Sequence, residues 1–157
     1  MRTVIFDVDG TLADNRHRQH YLDKRVKDWD GFFSQMHLDG VFSYVLEMYH
    51  ALYSRYRIVI CTGRPATYAD ATYKWFSDVA KLPGFHSVYF RKAGDLRPDH
   101  IVKLEMLNKI REDGHDVVFA IDDRPEVVTM WRENSVPCFQ VDDSMWYRSV
   151  DSVVEDE

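Results

Sequence analysis

The run Thr3-Val4-Ile5-Phe6-Asp7-Val8-Asp9-Gly10-Thr11-Leu12 constrains what this chain can fold into more than any other stretch. Its β-branched and aromatic residues have the length of a fully buried strand, and the run stops abruptly at two carboxylates, a glycine and a hydroxyl. A buried strand that ends in paired acids carries them to the edge of a sheet. Side chains alternate along a strand, so Asp7 and Asp9 are expected on one side and Val8 on the other, with both acids able to reach one bound atom. Gly10 then lets the backbone turn sharply.

The same design recurs along the chain. Residues 13 to 40 form a polar and aromatic segment containing Trp29, Phe32 and Phe33, read as a short flap with helical stretches. Val41, Val45, Met48 and Leu52 recur at helical spacing over residues 41 to 55. Tyr56 to Cys61 is a second buried strand, ending in Thr62-Gly63-Arg64-Pro65, and Pro65 suits the first turn of a helix over residues 66 to 80. A third strand, Ser87 to Phe90, ends in Arg91-Lys92, and a helix runs from Pro98 to Asp113 before Gly114. Asp116 to Ile121 is a fourth strand ending in Asp122-Asp123-Arg124, with a helix opened by Pro125, and Cys138 to Val141 is a fifth. Strand and helix alternate throughout, which predicts an α/β fold with a five-stranded, mainly parallel sheet and helices on both faces. In such sheets ligands bind beyond the carboxyl ends of the strands, the edge to which these independent segments send their polar residues.

The 157 residues suit one domain spanning 1 to 157, with 45 % apolar and 29 % charged residues in the ordinary globular range. The first strand begins two residues after Met1, and no apolar run approaches membrane-spanning length. The expectation is a cytoplasmic protein without a signal peptide or a membrane partner. Cys61 and Cys138 fall in buried strands and read as small apolar residues. The net charge of −6 is concentrated in residues 142 to 157, an acidic tail of six carboxylates against Arg148 alone, which leaves the body nearly neutral. Residues 14 to 27 carry Arg16, Arg18, Lys24, Arg25 and Lys27 against Asp14 and Asp23. This is either a solvated face or an electrostatic collar for an anionic substrate.

Four carboxylates, Asp7, Asp9, Asp122 and Asp123, converge from two strand ends. Packed together they repel unless protons or a cation intervene, and an oxygen-only ligand set of this kind suits Mg²⁺. Lys103 shares a helix face with Met106, Leu107 and Ile110, so it sits on the core-facing stripe, where an ammonium needs a counter-charge. Thr62 and Gly63 offer a hydroxyl and a backbone N–H to a phosphate oxygen at the positive end of a helix. Arg64 and Arg124 stand beside the two polar clusters and either fork onto a phosphate or bridge the acids. His17, His20 and His37 read as solvated side chains rather than a zinc site.

Asp7-x-Asp9-Gly10-Thr11, Thr62-Gly63-Arg64, Lys103 and Asp122-Asp123 resemble, in order, the four motifs of the haloacid dehalogenase superfamily of phosphohydrolases. The resemblance implies a Rossmann-like sheet of strand order 3-2-1-4-5 with a small flap and no large cap domain. It implies Asp7 as a nucleophile that forms an aspartyl-phosphate, and Asp9 as the acid and then the base. Thr62 and Lys103 would hold the phosphoryl group. Asp7, the main-chain carbonyl of Asp9, and Asp122 would bind Mg²⁺, with Asp123 beside them; Gly63, Arg64, Arg124 and Thr11 would complete the substrate site. A narrower likeness joins Gly94-Asp95-x-Arg97-x-Asp99, Val102-Lys103-x-Glu105 and Ala120-Ile121-Asp122-Asp123-Arg124 to the 3′-phosphatase domain of bacteriophage polynucleotide kinases. It implies removal of a 3′-phosphate from a DNA or RNA end. No G-x-x-x-x-G-K-[ST] loop occurs, so a kinase or ligase would be a separate partner. The alternative is a nucleotidase or other small-molecule phosphatase, with flap aromatics stacking on a base.

Overall fold

The computed structural model describes residues 1–142; most of the acidic tail lies outside the described residues. Strand β1 spans Arg2–Phe6. The short strands β2 (Ala13–Asp14) and β3 (Gly40–Val41) pair antiparallel and close the base of the flap. Between them lie a 3₁₀ turn over Arg16–Tyr21 and helix α1, Trp29–Ser34, capped by the Asp28 carboxylate accepting from the Gly31 N–H. Helix α2 (Ser43–Leu52), β4 (Arg57–Pro65), α3 (Ala69–Asp78), β5 (Phe85–Arg91), α4 (Asp99–Glu112), β6 (Asp116–Asp122), α5 (Pro125–Glu133) and β7 (Cys138–Gln140) follow. The five longer strands form one parallel sheet in the order β5-β4-β1-β6-β7, the expected 3-2-1-4-5.

Period-two alternation divides the core in two. Val4, Phe6, Ile58 and Ile60 pack on one face with Tyr49 of α2 and Trp75 and Phe76 of α3. Ile5, Val59, Cys61 and Ala120 pack on the other with Val102, Leu107 and Ile110 of α4 and Val127 and Trp131 of α5. The central strand β1 is buried on both faces, as its unbroken apolar sequence requires. The same alternation assigns Asp7, one step past β1, and Asp122, the last residue of β6, to the α4/α5 face, while the Arg64 guanidinium lies against Thr72 and the Trp75 ring on the α3 face.

Two expectations change here. The second strand was expected to stop at Cys61, but β4 continues to Pro65 because its pairing with β5 resumes, Pro65 against Arg91, after a register shift that leaves Thr62 to Arg64 as a bulge at the sheet edge. β1, by contrast, ends at Phe6 rather than running on through the acids. The Val8 carbonyl accepts from the N–H groups of Thr11, Leu12 and Ala13, and this tight turn takes Asp9 out of the strand alternation. Asp7 and Asp9 therefore do not share one side of a strand, as alternation had led us to expect, although both side chains still reach one cavity.

Candidate active site

Asp7 is the centre of the site. It is buried, and its carboxylate accepts from the Lys103 ammonium at 2.7 Å through Oδ1 and from the Thr11 hydroxyl at 2.9 Å through Oδ2. Lys103 also donates to Asp122 Oδ2 at 2.9 Å, and the Trp131 indole N–H donates to the same oxygen at 3.2 Å. The core-facing lysine thus has two counter-charges, both from the strand parity that favours the α4/α5 face. Burial and then repulsion from Asp122 push the Asp7 carboxyl up to about 6, against the lowering pull of Lys103. Burial acts against the Lys103 ammonium, but Asp122 and Asp7 outweigh it and hold the pKa well above the ordinary value.

Asp123 completes the cluster. One ligand atom from each of Asp7, Asp122 and Asp123 lies within 4.8 Å of the others, and this is the one such grouping found among the described residues. The Thr11 hydroxyl lies 3.3 Å from Asp123 Oδ1 as well as near Asp7, so it braces two acids. Gly10 makes room for this packing. Its φ is +79°, and a Cβ there would stand 2.1 Å from Asp123 Oδ2.

Asp9 has different company. Its carboxylate accepts from Arg18 Nη2 at 2.6 Å and from Arg64 Nε and Nη2 at 3.0 and 2.8 Å. Burial would raise its pKa, but Arg64 and Arg18 outweigh burial and hold the group far below the usual carboxylate range. Both arginines are buried, and both turn to a second acid, Asp39, at the end of the flap. Arg18 donates to Asp39 through Nε and Nη2, each at 2.8 Å, Arg64 Nη2 donates at 3.2 Å, and His17 Nε2 lies 2.7 Å from Asp39 Oδ1. Arg64 therefore bridges the acids, one of the two roles open to it from sequence, and Arg18 leaves the exposed collar to enter the site. His17 faces a carboxylate here and belongs to no metal-type cluster among the described residues.

A third wall comes from the start of α4. Asp99 accepts from Arg124 Nη1 at 3.1 Å and is also bound by Arg91, whose Nε donates to the Gly63 carbonyl at 2.8 Å. Burial opposes ionisation of Asp99, but Lys103, Arg124 and Arg91 outweigh it and lower its pKa. A Cβ on Gly63 would lie 2.6 Å from Asp99 Oδ1, so the bulge of β4 requires glycine to meet α4.

Asp7, Asp9, Gly63, Arg64, Lys103, Asp122 and Arg124 line a single cavity of about 600 Å³. Thr11, Thr62 and Asp123 are fully buried and are not part of its lining; the Thr62 hydroxyl accepts from the Arg64 N–H at 3.1 Å and shapes the bulge. Sequence reasoning missed Asp39 and the placement of Arg18. Arg91 had appeared only as a cation at the end of a strand and Asp99 only inside a motif, neither with a role.

A parallel sheet with a buried acid, a bridging lysine and further acids at its carboxyl edge defines a phosphatase of the haloacid dehalogenase type, a hydrolase. More narrowly, residues 1–146 match the family model of the polynucleotide kinase PNKP phosphatase domain, and the chain belongs to that family. A protein of Autographa californica nuclear polyhedrosis virus, described as a bifunctional polynucleotide kinase/RNA ligase, is 27 % identical over 139 residues, which are 87 % of this chain and 18 % of that protein. A chain from the structure of the Pnkp1/Rnl/Hen1 complex superposes with a TM-score of 0.76 at 28 % identity, covering 90 % of this chain and 46 % of that one. The present chain thus spans less than half the length of either relative. A haloacid dehalogenase-like family hydrolase from Streptococcus pneumoniae shares the fold, with a TM-score of 0.61 at 15 % identity over 89 % of this chain and 84 % of that one. Among the described residues no helix is long and apolar enough to cross a membrane.

Proposed function

We propose that the chain is a Mg²⁺-dependent phosphomonoesterase that works through an aspartyl-phosphate on Asp7 and removes the 3′-phosphate from a nucleic-acid end. The observation that carries the chemistry is the setting of Asp7: a buried carboxylate facing a cavity, held by Lys103 on one oxygen and Thr11 on the other. The family and the polynucleotide-directed names of the relatives support the substrate. The kinase and ligase in those names make an enzyme of either kind, acting on the same end, the proposed partner.

The acids fit a metal. Three buried carboxylates lie within 4.8 Å of one another, two of them bridged by the Lys103 ammonium, the donors are all oxygen, and Asp122 already opposes the ionisation of Asp7. Mg²⁺ held by Asp7, Asp122 and Asp123, with the Asp9 main-chain carbonyl that the family pattern implies, would supply positive charge to the phosphoryl oxygens.

Asp7 attacks phosphorus while the bond from phosphorus to the 3′-oxygen breaks, and that oxygen takes its proton from Asp9. Asp9 then accepts a proton from water as the water oxygen attacks phosphorus, which releases phosphate and restores the Asp7 carboxylate. Lys103, the Gly63 N–H, Arg64 and Arg124, which line the cavity, hold the phosphoryl oxygens and offset the charge that develops on them. In the structure Arg18 and Arg64 keep Asp9 ionised. A phosphate that draws the Arg64 guanidinium toward itself weakens that hold and allows Asp9 to carry the proton it delivers.

The test is phosphate release with Mg²⁺ from matched 3′- and 5′-phosphorylated oligonucleotides and from 3′- and 5′-mononucleotides. The reading requires release from the 3′-phosphorylated oligonucleotide that vanishes in Asp7→Asn. Release from mononucleotides alone keeps the chemistry and overturns the polymer substrate, and release that survives Asp7→Asn overturns the nucleophile.

A further inference from the structure

The groups assigned to phosphate chemistry occupy only one part of the cavity. The remainder has an apolar wall, Leu22, Trp29 and Phe33 from the flap and Leu96 and Pro98 from the loop before α4, with polar side chains such as Gln19 and His100 beside it. About 600 Å³ is the size of a pocket for a small organic molecule, far more than a phosphate fills. Trp29 and Leu96 are large apolar side chains left 45 % and 89 % exposed, on two separate segments that border one cavity. Single exposed hydrophobes are unremarkable, but two lining the same cavity beside a reactive carboxylate call for an occupant.

The aromatic wall is built in advance. Trp29 stacks on Phe33 at 5.9 Å and 24°, and Phe33 stacks on Tyr68 at 4.9 Å and 29°. This ladder fixes the Trp29 ring and spares a ligand the cost of ordering it. Gln19 borders the same cavity and is itself 8 % exposed, with its carbonyl Oε1 buried and lacking any hydrogen-bond partner. An unpaired buried acceptor is costly unless a ligand supplies a donor, and nucleosides carry such donors as exocyclic amines and sugar hydroxyls. Lys27 Nζ lies 5.9 Å from the Trp29 ring centroid, which sets positive charge at the rim where a polymer backbone would leave.

We propose that this apolar half is a base-stacking subsite, in which the terminal nucleobase of a 3′-phosphorylated end lies between Trp29 and Leu96 while its phosphate faces Asp7. The inference rests on the nucleic-acid reading above and names where that substrate is gripped. Stacking on an apolar surface accepts any base, so the subsite distinguishes a nucleotide from a bare phosphoester without reading sequence.

The experiment measures binding by isothermal titration calorimetry in the Asp7→Asn background, which keeps the ester intact. Its ligands are a 3′-phosphorylated dinucleotide and the same dinucleotide with a tetrahydrofuran abasic unit at its 3′ end, and the comparison adds Trp29→Ala, Trp29→Phe and Leu96→Ala. With the base present, Trp29→Ala weakens binding about tenfold, Leu96→Ala weakens it less, and Trp29→Phe restores most of the affinity. With the abasic ligand the three variants bind alike. Equal weakening for both ligands, or no weakening for either, overturns the subsite. Turnover of the dinucleotide by the chain with Asp7 intact decides the phosphatase reading separately, so the two failures are distinguishable.

Discussion

Asp39→Asn isolates the part of the site that is least visible from outside. The Asp39 side chain is fully buried, does not line the cavity, and receives two hydrogen bonds from Arg18 and one from Arg64. Asparagine preserves the shape but removes the charge and turns an N–H donor toward the guanidiniums. Two buried cations then have Asp9 as their remaining shared carboxylate. Breaking a buried ion pair by neutralising one partner costs about 3–5 kcal/mol, and a charge pair at about 4 Å in an effective dielectric of about 20 gives about 4 kcal/mol. For a chain of this length each kcal/mol moves Tm by about 2–4 °C, so the midpoint should fall by roughly 6–20 °C. Thermal unfolding followed by circular dichroism measures this. Arg16→Ala, which removes an exposed pair with Asp14, serves as the control and should leave the midpoint nearly unchanged. An Asp39→Asn protein within about 1 kcal/mol of the parent would show that the network does not depend on the Asp39 charge.

Two further outcomes follow from the acid cluster. Burial and Asp122 raise the Asp7 carboxyl from 3.8 to about 6, so the folded chain keeps a proton that the unfolded chain releases. The stability this group contributes is full below pH 3.8 and is lost as pH rises through about 6. If Mg²⁺ binds the ionised cluster as proposed, it should raise Tm more at pH 8 than at pH 5, and an equal rise at both contradicts that assignment. Gly10→Ala forces a Cβ to 2.1 Å from Asp123 Oδ2 at a φ of +79°, where a side chain alone costs about 1–2 kcal/mol. It should lower Tm and abolish Mg²⁺-dependent phosphate release; a variant with parental activity contradicts the role given to the Asp123 position.

What the residues revealed in advance was what obeys short-range rules. Alternation in Val4-Ile5-Phe6 and Ile58-Val59-Ile60 is written in the sequence, and it sets both the two-faced core and the side from which Asp7 emerges. Lys103 was legible for the same reason, since an ammonium on an apolar helical stripe must meet a carboxylate. Asp39 was not legible, because its partners Arg18 and Arg64 lie 21 and 25 residues away and meet it only through the path of the flap. Asp9 was misplaced because strand periodicity was carried past the point where the Val8 carbonyl gathers three N–H groups into a turn. Thr62 was taken for a group on the cavity wall, but the β4 bulge turns its hydroxyl toward the backbone of Arg64.

The central claim is that Asp7 becomes covalently phosphorylated during attack on a 3′-phosphate. Mixing the protein with Mg²⁺ and a 3′-phosphorylated oligonucleotide, quenching with acid within one turnover and mapping peptides by mass spectrometry tests it directly. One added phosphoryl group is expected on the peptide carrying Asp7, absent when the 3′-phosphate is omitted and absent in Asp7→Asn. Phosphate release that proceeds while that peptide stays unmodified at every quench time, or a phosphoryl group found on another residue, would contradict it.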